Sequence, residues 1–96
     1  MKQEIKFVCN AVKWFDRANG NTYHSVNITR CSDGEVIKGK FQYGYGDHYQ
    51  QTALEKMEEN NWIPKKDIYS YERNNGYPIL WNVYEGKKRE CVQNGI

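Results

Sequence analysis

From Glu4 to Asp16 the chain reads EIKFVCNAVKWFD, and its apolar residues fall on both phases of a two-residue alternation. Ile5, Phe7, Cys9 and Ala11 occupy one phase, and Val8, Val12 and Trp14 the other. A strand with apolar positions on both faces is a central strand or a bulged one. RANGN (17–21) follows, with the Asn19-Gly20 pair that marks a hairpin. TYHSVNITRC (22–31) is rich in β-branched residues, Asp33-Gly34 is a second tight turn, and VIKGKFQY (36–43) reads as a third strand. The expectation is a three-stranded antiparallel meander. A two-residue turn at Asp33-Gly34 would set Val26 opposite Phe41 and Arg30 opposite Ile37. A five-residue first loop would set Val12 opposite Val26 and Trp14 opposite His24. Together they predict one apolar face of Val8, Val12, Trp14, Val26, Ile28, Ile37 and Phe41, and the longer first loop is preferred because a two-residue loop would bring Lys13 to that face instead.

The period then changes. In HYQQTALEKMEENN (48–61), Tyr49, Ala53, Leu54 and Met57 recur at helical spacing, with Glu55, Lys56, Glu58 and Glu59 around the other side. Asp47 is the expected N-cap, and Asn60, Asn61 and Pro64 end the helix. KKDIYSYERNNGYP (65–78) is polar and tyrosine-rich, with turn signals at Asn74-Asn75-Gly76 and Pro78 and room for a short strand at 68–72. ILWNVYE (79–85) reads as a strand, Gly86-Lys87 as a turn, and RECVQ (89–93) as a last strand closing a C-terminal β-hairpin. The predicted order is β-β-β-α-β-β, an α+β fold in one domain spanning 1–96.

The 15% aromatic content, led by eight tyrosines, sets this patterned chain apart from disordered sequences. A net charge of +2 and a pI of 8.4 permit nucleic-acid contact without the strong basic signature of a dedicated binder. Three widely spaced cysteines, Cys9, Cys31 and Cys91, do not make a disulfide framework and point to a reducing, cytoplasmic setting. The N-terminal residues do not read as a signal peptide, and no apolar run reaches membrane-spanning length.

Candidate chemistry centres on GKFQYGYGDHY (39–49). Gly44 and Gly46 precede a helix, where backbone N–H groups can hold phosphate. The spacing is neither Rossmann-like nor a P-loop, and Asp47 would repel an anion there. The glycines therefore read as the corner between strand and helix. Phe41, Tyr43, Tyr45 and Tyr49 could offer rings to bases. Lys38, Lys40, Lys87, Lys88 and Arg89 could meet phosphates, opposed by the field of Glu55, Glu58 and Glu59. His24, His48 and the cysteines lack metal-ligand spacing, so no metal or cofactor is expected. His48 beside Asp47 is the one pair with catalytic residue types, but neighbours on a helix diverge, so no catalytic residue is assigned. His24 is expected beside Trp14. An exposed sheet edge could pair with a second copy.

The segments AVKWFDRANGNTYHSV (11–26) and FQYGYGDHYQQTAL (41–54) resemble small uncharacterised accessory proteins of bacteriophage and prophage genomes. The resemblance implies a non-enzymatic protein of the host cytoplasm that inhibits a host defence protein by binding it, in the manner of an anti-CRISPR. The expected partner surface joins Tyr43, Tyr45, Asp47, His48 and Tyr49 to Lys65, Lys66, Tyr69, Tyr71, Arg73 and Tyr77, since tyrosine and arginine anchor interfaces. The alternative is a nucleic-acid module using the lysine-bearing sheet face.

Overall fold

A computed structural model describes residues 4–63 and 79–96, so the strand expected at 68–72 lies outside the described residues. Among those described, β1 (Phe7–Asp16), β2 (Asn21–Arg30) and β3 (Val36–Tyr43) form the expected antiparallel meander. α1 (His48–Glu59), β4 (Ile79–Glu85) and α2 (Lys88–Asn94) complete an α+β fold. The sheet order is β3-β2-β1-β4. β1 is internal to the sheet, one of the two readings that its two-phase apolar pattern allows.

β4 corrects the expected C-terminal hairpin. It pairs parallel with β1, from Phe7 opposite Ile79 to Lys13 opposite Glu85. The segment expected as its antiparallel partner is instead α2. Two local features favour the helix. The Glu90 carboxylate accepts the Lys87 N–H at 2.7 Å, closing the first turn. Cys91 and Asn94, three residues apart, both reach the sheet: the Cys91 thiol donates to the Val12 carbonyl and the Asn94 amide to the Asn10 carbonyl.

Both hairpin loops also differ from expectation, and for one reason: an aspartate organises each. Asp16 accepts from the Ala18 N–H at 3.1 Å and the Asn19 amide at 2.8 Å, making a loop of residues 17–20. Asp33 takes the Arg30 guanidinium at 2.7 Å and the Glu35 N–H at 3.0 Å, so Asp33-Gly34 belongs to a longer loop, 31–35. The registers move accordingly. Val26 lies opposite Ala11 and Gly39, Ile28 opposite Cys9 and Ile37, and His24 opposite Lys13. A bulge between His24 and Val26 sets Ser25 against both Lys40 and Phe41.

The predicted single apolar face is therefore split in two. Phe7, Cys9, Ala11, Val26, Ile28 and Ile79 pack with Tyr49, Ala53, Leu54 and Met57 of α1. Leu54 and Met57 are fully buried, and each such side chain contributes about 1.5–3 kcal/mol. Val12, Trp14, Tyr23, Ser25 and Phe41 turn to the opposite face, against and beside α2. No helix among the described residues is long and apolar enough to cross a membrane.

Candidate functional site

The glycine-tyrosine stretch forms a corner on the α1 face. Gly44 donates its N–H to the Thr22 carbonyl at 3.0 Å, tying the start of the corner to β2. Its own carbonyl meets Nδ1 of His24 at 3.1 Å, while Nε2 of His24 meets the Thr52 hydroxyl at 2.7 Å. One tautomer satisfies both contacts, with Nδ1–H donating to Gly44 and Nε2 accepting from Thr52. A side chain at Gly44 would strike the His24 ring at 2.6 Å, and Gly46 adopts a φ of 60°. Lys13 donates to the Gly46 carbonyl at 3.3 Å. The strand-to-helix corner is where the glycine spacing predicts it, and His24 and Lys13 clamp it from β2 and β1.

His24 is fully buried, and burial is the main cause holding its pKa below the ordinary value. The Gly44 hydrogen bond opposes that shift, while His48 and Lys13 add to it. With both ring nitrogens engaged and no solvent access, His24 is a structural histidine. Its ring lies 5.1 Å from that of His48, not beside Trp14 as expected. Among the described residues, no three His, Cys, Asp or Glu side chains converge to hold a metal ion. All three cysteines are free, with Cys9 and Cys91 buried and Cys31 exposed. Burial pushes the Cys9 thiol up to about 12, against a smaller lowering by the Asn27 backbone.

The expected partner surface is only partly assembled. Tyr43 and Tyr45 are 56% and 71% exposed, and Asp47 and His48 are also exposed. Asp47 holds the N-cap position without a side-chain capping bond. Tyr49 is a correction: it is 6% exposed, with its ring edge-on to Trp81 and the Lys13 ammonium above it. As the first apolar position of the α1 stripe, it belongs to the core. Lys65, Lys66, Tyr69, Tyr71, Arg73 and Tyr77 lie outside the described residues.

The opposite face carries a feature the sequence reading missed. Trp14 stacks on Tyr23 at 5.7 Å, Tyr23 stacks on Phe41 at 4.9 Å, and Tyr43 meets Tyr23 edge-on at 5.9 Å. The Lys88 ammonium caps the Trp14 end, 5.6 Å from the ring. The register explains the row. The 17–20 loop sets Trp14 opposite Tyr23, and the bulge turns Phe41 onto their side. The sequence held a signal for the first pair, because Trp14 and Tyr23 stand three residues either side of the loop's ends. No local signal marked the bulge.

Beside the row lies a groove of about 640 Å³, lined by Lys38, Lys40, Phe41, Val92, Gly95 and Ile96. The Lys38 ammonium donates to the Ile96 carbonyl at its rim. Lys87, Lys88 and Arg89 are exposed at the start of α2. Glu55, Glu58 and Glu59 belong to α1, across the sheet. Charge is mixed on both faces: Lys13, Arg30 and Lys56 lie on the α1 side, and Asp16 and Glu90 stand near the lysines of α2.

No protein-family model matches this chain, and neither does any curated protein or solved structure.

Proposed function

We propose that this protein is a non-enzymatic binding module for single-stranded nucleic acid, working through the α2 face of the sheet. The observation that carries the reading is the aromatic row of Trp14, Tyr23, Phe41 and Tyr43, bordered by Lys38, Lys40 and Lys88. Rings supply stacking surface that every base can use, and ammonium groups supply the phosphate attraction. Tyr43 offers an exposed ring at one end of the row. At the other end, a base could displace Lys88 from Trp14 and leave its ammonium to a phosphate. The glutamates of α1 oppose this field less than the sequence implies, because a protein layer separates the two faces.

Fluorescence anisotropy with labelled single-stranded and duplex DNA and RNA, at about 50 and 200 mM salt, tests the reading. Single strands are expected to bind more tightly than duplexes, with affinity that falls steeply as salt rises. Lys38→Ala and Lys40→Ala should each weaken binding and flatten the salt slope by about one. No binding at the lower salt, or binding untouched by these substitutions, overturns it.

A second reading rests on Tyr45. An aromatic side chain 71% exposed on a loop clamped by His24 and Lys13 is well placed as a protein-interface anchor. It supports the phage-inhibitor reading, in which the loop binds a host defence protein. Tyr45→Ala should then abolish capture of that target while leaving nucleic-acid binding unchanged.

A further inference from the structure

The two edges of the sheet are built differently. β3 carries Lys38 and Lys40 and ends one side of the sheet with a bulged register, both of which discourage pairing with another strand. β4 ends the other side, and among the described residues no strand pairs with its outer edge. From Ile79 to Tyr84 it has no charged residue, and its first charge is Glu85. Leu80, Val83 and Tyr84 are 42%, 42% and 53% exposed.

We infer that the β4 edge is a self-association surface, occupied by β4 of a second copy running antiparallel about a two-fold axis at Asn82. Charge complementarity selects this occupant. Across a two-fold axis an edge meets its own residues, so a lysine-bearing edge repels its copy and an uncharged one does not. The sequence is also complementary to itself about Asn82. Leu80 falls opposite the partner's Tyr84 on the α2 side, and Trp81 opposite the partner's Val83 on the α1 side. Apolar residues thus meet apolar residues at the two positions on each side of the axis, and Ile79 faces the partner's Glu85 at the strand ends. The two Glu85 carboxylates stand six strand positions apart, about 20 Å, beyond the screening length at physiological salt.

The pairing joins two four-stranded sheets into one of eight strands. Both α2 faces then lie on the same side, because directly opposed residues of an antiparallel pair point the same way. The aromatic rows become two halves of one longer surface. The inference does not depend on what that surface binds. One strand edge is small beside the roughly 1,200–2,000 Å² of a stable interface, so the dimer is expected to be reversible in the micromolar range.

Sedimentation velocity over about 2–200 μM is expected to show monomer giving way to dimer. Val83→Lys should hold the protein monomeric with its circular dichroism unchanged, and Tyr84→Lys serves if the first variant misfolds. In a Cys31→Ser background, mild oxidation of Asn82→Cys should yield a disulfide-linked dimer, because directly opposed Cα atoms lie about 4.5–5.5 Å apart, within the span of a disulfide. Tyr45→Cys in the same background is the control and should not cross-link. Three results overturn the inference: a monomer at every concentration, lysine variants that associate like the parent, or cross-linking no better at position 82 than at position 45.

Discussion

The two faces of this sheet differ both in how many strand positions they bury and in the chemistry that finishes them. The α1 face is closed by aliphatic packing. Leu54, Met57, Ala53, Val26, Ile28 and Cys9 are all fully buried there, and the one polar ring among them, His24, has both nitrogens bonded. The α2 face is held by hydrogen bonds from Ser25, Cys91 and Asn94, beside half-exposed rings and lysines. The contrast teaches a division of labour: dry packing sets stability on one side, which leaves the other free to keep aromatic surface near solvent.

The largest test of that division is Leu54→Ala. Removing a fully buried side chain from the α1 face should cost about 2–5 kcal/mol in urea unfolding. Nucleic-acid affinity measured well below the melting temperature should be unaffected. Tyr43→Ala on the α2 side is expected to do the reverse, weakening single-strand binding by about 1–3 kcal/mol while stability stays within about 0.5 kcal/mol. If Tyr43→Ala destabilises the fold as much as Leu54→Ala, the division fails.

His24 sharpens the comparison through pH. Its folded-state pKa is depressed, chiefly by burial, so below about pH 6.5 the unfolded chain takes up a proton that the folded chain resists. Stability from this group is therefore complete above that pH and declines as the pH falls toward the folded value. The slope is at most about 1.4 kcal/mol per pH unit for one proton. Thermal melts between pH 7 and pH 5 should show this decline in the parent and a flatter profile in His24→Gln. Lys13 and His48 face the same ring, and neither supplies a negative charge to offset the proton. A parent profile as flat as the variant's would remove His24 from the account of the α1 face.

The smallest effect concerns the cysteines. In the native protein only Cys31 should react promptly with an aromatic disulfide reagent, since Cys9 and Cys91 are buried and burial raises both thiols. Cys91 reacting as fast as Cys31 would mean that α2 opens readily, and that the α2 face is far looser than its hydrogen bonds imply.

The reach of the sequence can be judged element by element. The three meander strands, α1 and the Ile79–Glu85 strand stand where periodicity places them, because each carries its own repeat of apolar positions over at least seven residues. Lys88–Asn94 does not, since seven residues with one buried position carry too little pattern to separate helix from strand. The candidate surface was legible in residue type but not in arrangement. Phe41 and Tyr43 stand out as ring donors and Lys38 and Lys40 as phosphate contacts, whereas Trp14 and Tyr23 read only as strand residues. Tyr49 was drawn outward by its tyrosine neighbours, although its place in the α1 stripe marks it as core.

By itself, the sequence determined the three meander strands, α1, the Ile79–Glu85 strand and the corner at Gly44–Gly46, because turn chemistry and apolar period act over a few residues. The tertiary structure decided the registers, the central position of β1, the parallel placement of β4 and the gathering of a row of rings on one face. The registers and the row of rings depend on where Asp16 and Asp33 close their loops and on a single bulge at Ser25. Because strand side chains alternate with period two, each one-residue change moves residues from one face to the other.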